Sequence, residues 1–238
     1  MKLTGNTVFI TGGTSGIGRA LAEQFHARGN RVIIAGRRKA LLDEITAQHP
    51  GMRGVELDVA DPAAVARLDL PDVNVLVNNA GISRAEDLTT NTRATAREII
   101  DTNIVSVLDV TRALLPTLLK HSSTILTTSS NLAFMPRANY PTYCASKAFL
   151  HSWLQSLRWQ LRATSVEVIE LLPPFVQTEL TGPAQATNPH AMPLAAYIAE
   201  VMQLLETSAT EISVEFGSEI RASVCNGTYD ELFAKRNA

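Results

Sequence analysis

Thr11-Gly12-Gly13-Thr14-Ser15-Gly16-Ile17-Gly18 (T-G-G-T-S-G-I-G) follows the short β-rich run Val8-Phe9-Ile10 and opens an amphipathic stretch from Gly16 to Ala27 that Gly29 stops. Glycines between a strand and a helix permit a tight turn and let a phosphate approach the backbone, where the helix's first N–H groups point at the anion. The turn departs from G-x-G-x-x-G, because Leu21 stands where the third glycine belongs. A P-loop is excluded, since Arg19-Ala20 follow Gly18 where Lys-Ser/Thr would be required. A glycine cluster can be a tight turn and no more; its place between strand and helix favours pyrophosphate binding.

Working outward, strand-like and helix-like runs alternate. Strands are expected at Arg31–Ala35, Gly54–Leu57, Val73–Val77, Thr124–Thr128, Val166–Leu172 and Glu211–Phe216. Helices are expected at Lys39–Ala47, Thr92–Lys120 (bent or capped by Pro116), Tyr143–Arg162, Leu194–Leu205 and Tyr229–Lys235. Asp61-Pro62 starts one more short helix, with Asp as the cap and Pro in the first turn. Continuously apolar strands fit a parallel sheet covered on both faces. The expected fold is α/β, a single Rossmann-like doubly wound parallel sheet of about seven strands with helices on both faces. With no repeat or linker to divide it, residues 1–238 read as one domain.

Composition narrows the partners. Apolar residues make up 45% and charged residues 18%, and Lys+Arg 21 against Asp+Glu 23 leave a net charge of −2. Such a chain has no basic field for nucleic acid and no polybasic run for a membrane surface. No apolar run of about 18 residues appears, and the N-terminus lacks a signal pattern. Cys144 and Cys225 lie far apart, and none of the histidines has metal-ligand spacing. Reduced thiols and a cytoplasmic location are expected, with no metal.

Chemistry concentrates between Ser129 and Lys147. Tyr143 and Lys147 are four apart and share a helix face, so a lysine ammonium can lie beside the phenol and lower its pKa. Ser130 can hold a carbonyl oxygen nearby. Taken alone, Y-x-x-x-K is common on solvated helices. The second strand adds a further signal. Where a site for NAD carries an acidic residue, this chain reads Ala35-Gly36-Arg37-Arg38. Arg37, with Arg38 beside it, can grip a ribose 2′-phosphate, which favours NADP(H) over NAD(H). The alternative for both is a solvated loop charge.

Jointly, T-G-x-x-x-G-x-G at Thr11–Gly18, Asn78-Asn79-Ala80-Gly81, Asn103, Ser130, Tyr143-x-x-x-Lys147 and Pro173–Thr178 resemble the short-chain dehydrogenase/reductase family nearly end to end. The chain is most similar there to the DltE-type oxidoreductases. The resemblance implies a hydride transfer between NADP(H) and a carbonyl or secondary alcohol. It implies that Gly12, Ser15, Gly16 and Ile17 hold the pyrophosphate, within a turn that includes Thr14 and Gly18. Asp58 and Val59 would flank the adenine, and Asn79, Ala80 and Gly81 the adenosine-side ribose and the backbone. Lys147 would bond the nicotinamide ribose, and Val176 and Thr178 the carboxamide. Tyr143 would be the general acid/base, Ser130 would orient the substrate, and Asn103 would hold a water linking Lys147 to solvent. Pro174 departs from the family's Pro-Gly and removes an N–H donor.

For the substrate, Phe134, Met135, Tyr140, Phe175 and Leu180 are expected to line an apolar pocket beside Ser130, under the loop Gln177–Pro193. Each could instead be ordinary packing. Trp153, Leu157 and Leu161 suggest a helix-pair interface and a homodimer or other homo-oligomer. The competing reading is a non-catalytic NADP-binding sensor or scaffold on the same fold, which would predict a disrupted set of polar positions.

Overall fold

The apolar runs become seven parallel strands of one sheet in a computed structural model that describes residues 1–90 and 93–237. They are β1 (Thr7–Thr11), β2 (Arg31–Gly36), β3 (Arg53–Glu56), β4 (Val75–Asn78), β5 (Ser123–Thr128), β6 (Val166–Leu172) and β7 (Glu211–Ser213). Their order is β3-β2-β1-β4-β5-β6-β7. Because β1 pairs with both β2 and β4, the winding reverses there, and a cleft opens beyond the carboxyl ends of β1 and β4.

Alternating side chains of each strand feed two cores. Val8 and Ile10 pack with Leu21 and Phe25 of α1 (Gly16–Ala27) and with Tyr197 and Val201 of α8 (Leu194–Leu204). Phe9 points the other way, toward Val110 and Leu114 of α5 (Ser106–Leu118) and Leu154 and Leu157 of α6 (Pro141–Leu161). Each such side chain, fully buried, is worth roughly 1.5–3 kcal/mol. The remaining helices are α2 (Lys39–Gln48), α3 (Pro62–Ala66), α4 (Arg93–Ile100), α7 (Pro183–Ala186), α9 (Ser218–Asn226) and α10 (Tyr229–Asn237). Asp61 caps α3 as expected, its Oδ1 accepting from the N–H groups of Ala63 at 2.9 Å and Ala64 at 3.2 Å.

Three expectations need correcting. The long helical region breaks at a π-turn, Asp101–Val105, between α4 and α5, whereas Pro116 lies within the last turn of α5 without ending it. Its first expected residue, Thr92, lies outside the described residues. Helix α9 follows β7 closely, so β7 is shorter than its apolar run suggests. Leu157 and Leu161 are buried in the second core and so are not surplus apolar surface, and Trp153 packs, partly buried, against it. Among the described residues, no helix is long and apolar enough to cross a membrane.

Candidate active site

At the end of β1 the chain must pass close to the end of β4. Gly12 takes φ +66°, and a Cβ there would stand 2.8 Å from the Cα of Ala80, so the crossing requires glycine. Gly16 also has positive φ, at +53°. Gly18 is needed for a different reason. A Cβ on it would collide with the Asn79 side chain and the Gly12 carbonyl, so its bareness seats α1 against the turn. Asn79 then ties three strand ends together. Its Nδ2 donates to the carbonyls of Thr11 (3.2 Å) and Gly12 (3.3 Å), and its Oδ1 accepts from Thr128 Oγ1 (3.3 Å).

The turn suits an anion. Helix α1 has no acidic residue in its first turn, and the Ser15 hydroxyl makes no capping bond to it. Arg38 instead donates from Nη2 to Thr14 Oγ1 (2.9 Å) and Ser15 Oγ (3.0 Å), which brings a guanidinium to the phosphate-binding loop. Arg37 lies 3.9 Å from Asp58, with both side chains exposed. Asp58 also accepts from the Ala60 N–H at 3.0 Å, so it serves its own turn as well.

Tyr143 and Lys147 share the inward face of α6 and are both buried. The Lys147 ammonium donates to the Thr128 carbonyl at 2.9 Å and lies 5.6 Å from the centre of the Tyr143 ring. Burial raises the Tyr143 pKa, and a hydrogen bond with Ser130 opposes that rise. Burial lowers Lys147 to about 8, with the charge of Glu170 opposing the fall. The expected lowering of Tyr143 is therefore reversed: desolvation of the phenol is the largest effect on it. The group is a protonated phenol at neutral pH.

Asn103, fully buried in the π-turn, acts one layer behind. Its Nδ2 donates to the Ile82 carbonyl (2.9 Å) and Ser146 Oγ (3.1 Å), and its Oδ1 accepts from the Ile82 N–H (2.9 Å). Together these bonds form a clamp that pins the segment after β4 onto α6. Gly81 fits between Asn103 and Lys147, since a Cβ there would be 3.3 Å from Asn103 Oδ1 and 3.8 Å from Lys147 Nζ.

The glycine turn, Ser130, Tyr143 and Lys147 face one cleft of about 470 Å³. Every cofactor position named from the sequence lines it except Gly18. Ser130 and Leu180 line it too, whereas Phe134, Met135, Tyr140 and Phe175 do not. Phe134 turns away to pack edge-on against His151 (4.6 Å between centroids), and Met135 is core. Tyr140 flanks the start of α6, and Phe175 is exposed. Ile82, Arg84, Pro173, Pro174 and Glu179, not named from the sequence as substrate residues, also line the cleft. Gln185 was not foreseen either. It donates to the Val176 carbonyl (2.7 Å) and Thr178 Oγ1 (3.0 Å), fixing the loop over the cleft, and a lone glutamine in a polar loop carries no sequence signal. The buried Ser129 hydroxyl in the same lining has no partner among the described residues, so the cleft retains polar capacity for a ligand.

The sequence matches the short chain dehydrogenase family over residues 6–189. The chain belongs to that family. It is 38% identical, across 100% of its length and 98% of the other's, to an uncharacterized oxidoreductase, DltE, of Bacillus subtilis (strain 168). Its fold is similar to that of a short chain dehydrogenase from Burkholderia cenocepacia J2315 solved in complex with NADP (TM-score 0.89, 26% identity, 100% of both chains). It is also similar to a 3-ketoacyl-(acyl-carrier-protein) reductase from Brucella melitensis complexed with NADH (TM-score 0.78, 26% identity, 89% of this chain and 95% of that one). A short-chain dehydrogenase with this sheet is an oxidoreductase that uses a nicotinamide cofactor.

Proposed function

We propose that residues 1–238 act as one domain that transfers a hydride between NADP(H) and a carbonyl or secondary alcohol carbon. The observation that carries this reading is the convergence of Ser130, Tyr143 and Lys147 on the cleft that Thr14, Ser15, Arg37 and Arg38 line elsewhere. Bound, the nicotinamide supplies or accepts the hydride. The chain's own residues do the rest. The turn Gly12–Ile17 and Arg38 hold phosphate, Arg37 meets the ribose 2′-phosphate, and Val176 and Thr178 flank the carboxamide. Asp58 and Val59 border the adenine, and Asn79, Ala80 and Gly81 the adenosine-side ribose and the backbone.

In the reductive direction Ser130 orients the substrate oxygen and Tyr143 gives it a proton. Burial keeps the phenol protonated and ready to donate, and the Lys147 ammonium stabilises the phenolate that remains. General acid help of this kind contributes on the order of 10² to 10⁴ in rate. Asn103 supports these groups by holding Ile82 and Ser146 in place.

The wall beside Ser130 favours a short, polar substrate over the apolar body expected from Phe134, Tyr140 and Phe175. Arg84 and Glu179 both line the cleft, so the substrate wall carries charges of both signs. Exposed Val105, Phe149 and Trp159 offer surface for a homo-oligomer, which light scattering would detect as a multiple of 25.8 kDa. The activity test is a panel of short aldehydes, ketones and 2- or 3-oxo acids with NADPH and then NADH. Turnover with NADPH in excess of NADH supports the reading; no turnover with any carbonyl, or equal use of both cofactors, opposes it.

A further inference from the structure

Tyr143, Lys147, His151 and Gln155 recur every fourth residue along α6 and make one polar stripe, on a helix whose other buried positions include Leu150, Leu154, Leu157 and Leu161. From β6, Glu170 meets this stripe. It is fully buried, and it is paired across the sheet with Thr127, next to the Thr128 whose carbonyl holds Lys147. His151 Nδ1 lies 2.8 Å from Glu170 Oε2, and Gln155 Nε2 lies 2.9 Å from His151 Nε2. A neutral imidazole satisfies both contacts by donating Nδ1–H to the carboxylate and accepting from the amide. Glu170 Oε1, by contrast, has no partner among the described residues.

A carboxylate held in a sheet without full hydrogen bonding is costly unless a charge compensates it. Two sources of compensation lie close by. His151, Glu170 and Glu211 bring three ligand atoms within 4.8 Å, as a divalent cation would need. That place is already taken: the Arg221 guanidinium is 3.3 Å from Glu211 Oε2 and stacks 4.6 Å over the Phe134 ring that covers His151. The other compensation is Lys147, one helical turn from His151, buried and bonded to a carbonyl in place of a carboxylate.

We propose that Glu170, held by His151 and Gln155, is a positioning residue whose buried carboxylate is the counter-charge that keeps Lys147 an ammonium beside Tyr143. Glu170 opposes the desolvation that brings the lysine down to about 8. The ionisable groups around the stripe are Tyr143, Cys144, Lys147 and His151 on α6, Glu170 on β6, Glu211 on β7 and Arg221 on α9. Of these, Glu170 is the fully buried acid. The assignment to catalysis rests on the hydride-transfer reading; the electrostatic coupling does not.

Two arms test it. In the first, kcat/KM is followed over pH for the wild type, Glu170→Gln and Glu170→Asp. Gln keeps the shape and removes the charge, so its alkaline limb should move to lower pH by about 1 or more. Asp restores the charge and should return the limb toward wild type; a packing role would make the shortened Asp no better than Gln. In the second arm, melting temperature is measured from pH 7 to 10.5 without substrate. Lys147 has a folded pKa of about 8, below its ordinary 10.5. The cost of charging it in the fold is therefore present below about 8 and fades as pH rises toward 10.5. Removing Glu170 enlarges that cost, so the Gln variant's melting deficit should be largest near neutral pH and shrink on the alkaline side. Superimposable alkaline limbs together with a pH-independent melting deficit would overturn the proposal. If the wild type turns over no carbonyl, the hydride-transfer reading fails and the melting arm alone decides the coupling.

Discussion

Cofactor choice is the most direct consequence of the β2 terminus. Arg37 and Arg38 are adjacent but differently held. The Arg37 side chain is 66% exposed and lies 3.9 Å from Asp58. Arg38 is braced by two hydroxyls of the glycine turn. A hydrogen bond to a charged group is worth about 1.5–3 kcal/mol, but solvent screening around an exposed guanidinium reduces this to about 1 kcal/mol. Arg37→Ala should therefore weaken NADPH binding by about fivefold and leave NADH unchanged. Arg38→Ala removes both a cation and the brace on Thr14 and Ser15, so it should weaken both cofactors. Fluorescence titration of each variant with NADPH and NADH, at low and high salt, reads the difference. The Arg37 effect should shrink at high salt, because exposed charges are screened. An NADPH affinity unchanged by Arg37→Ala, or an equal loss for both cofactors, would refute the assignment of Arg37 to the 2′-phosphate.

Other consequences are more local. Gly18→Ala forces a methyl into Asn79 and the Gly12 carbonyl, and should lower stability by about 1–3 kcal/mol in thermal or denaturant unfolding. Lys147 loses its proton above about 8, so kcat/KM should decline on the alkaline side from that point in a pH profile of the wild type. Phe134→Leu should leave KM for a carbonyl substrate unchanged, because the ring packs on His151 and Arg221 and not on the cleft.

The parallel sheet was legible because its strands are short apolar runs punctuated by glycine, proline and helix caps, and those signals are local. Val166–Leu172 is found with the bounds its sequence implies. The π-turn was not legible, since nothing in Asp101–Val105 breaks helical periodicity; it coincides with the tertiary clamp of Asn103 on Ile82 and Ser146. The cofactor end of the cleft follows from motifs whose spacing fixes where backbone and side chains must be. At the substrate end, Phe134, Tyr140 and Phe175 were judged by nearness in sequence to Ser130 and Pro174, and they do not line the cleft. Their directions are set by contacts with α6, α9 and solvent. Ile82 and Arg84 were overlooked although they follow closely on Gly81. The Tyr143 pKa was misjudged because sequence shows a neighbouring lysine but not the depth of burial.

The central claim is that Tyr143 is the proton donor to a carbonyl reduced in this cleft. Rapid mixing of the NADPH complex with a carbonyl substrate, followed by absorbance of the reduced nicotinamide, tests it in one turnover. Tyr143→Phe should slow that decay by about 10² or more while NADPH still binds, because the phenol's proton is lost and the turn that holds phosphate is untouched. An undiminished single-turnover rate in the variant would contradict the account.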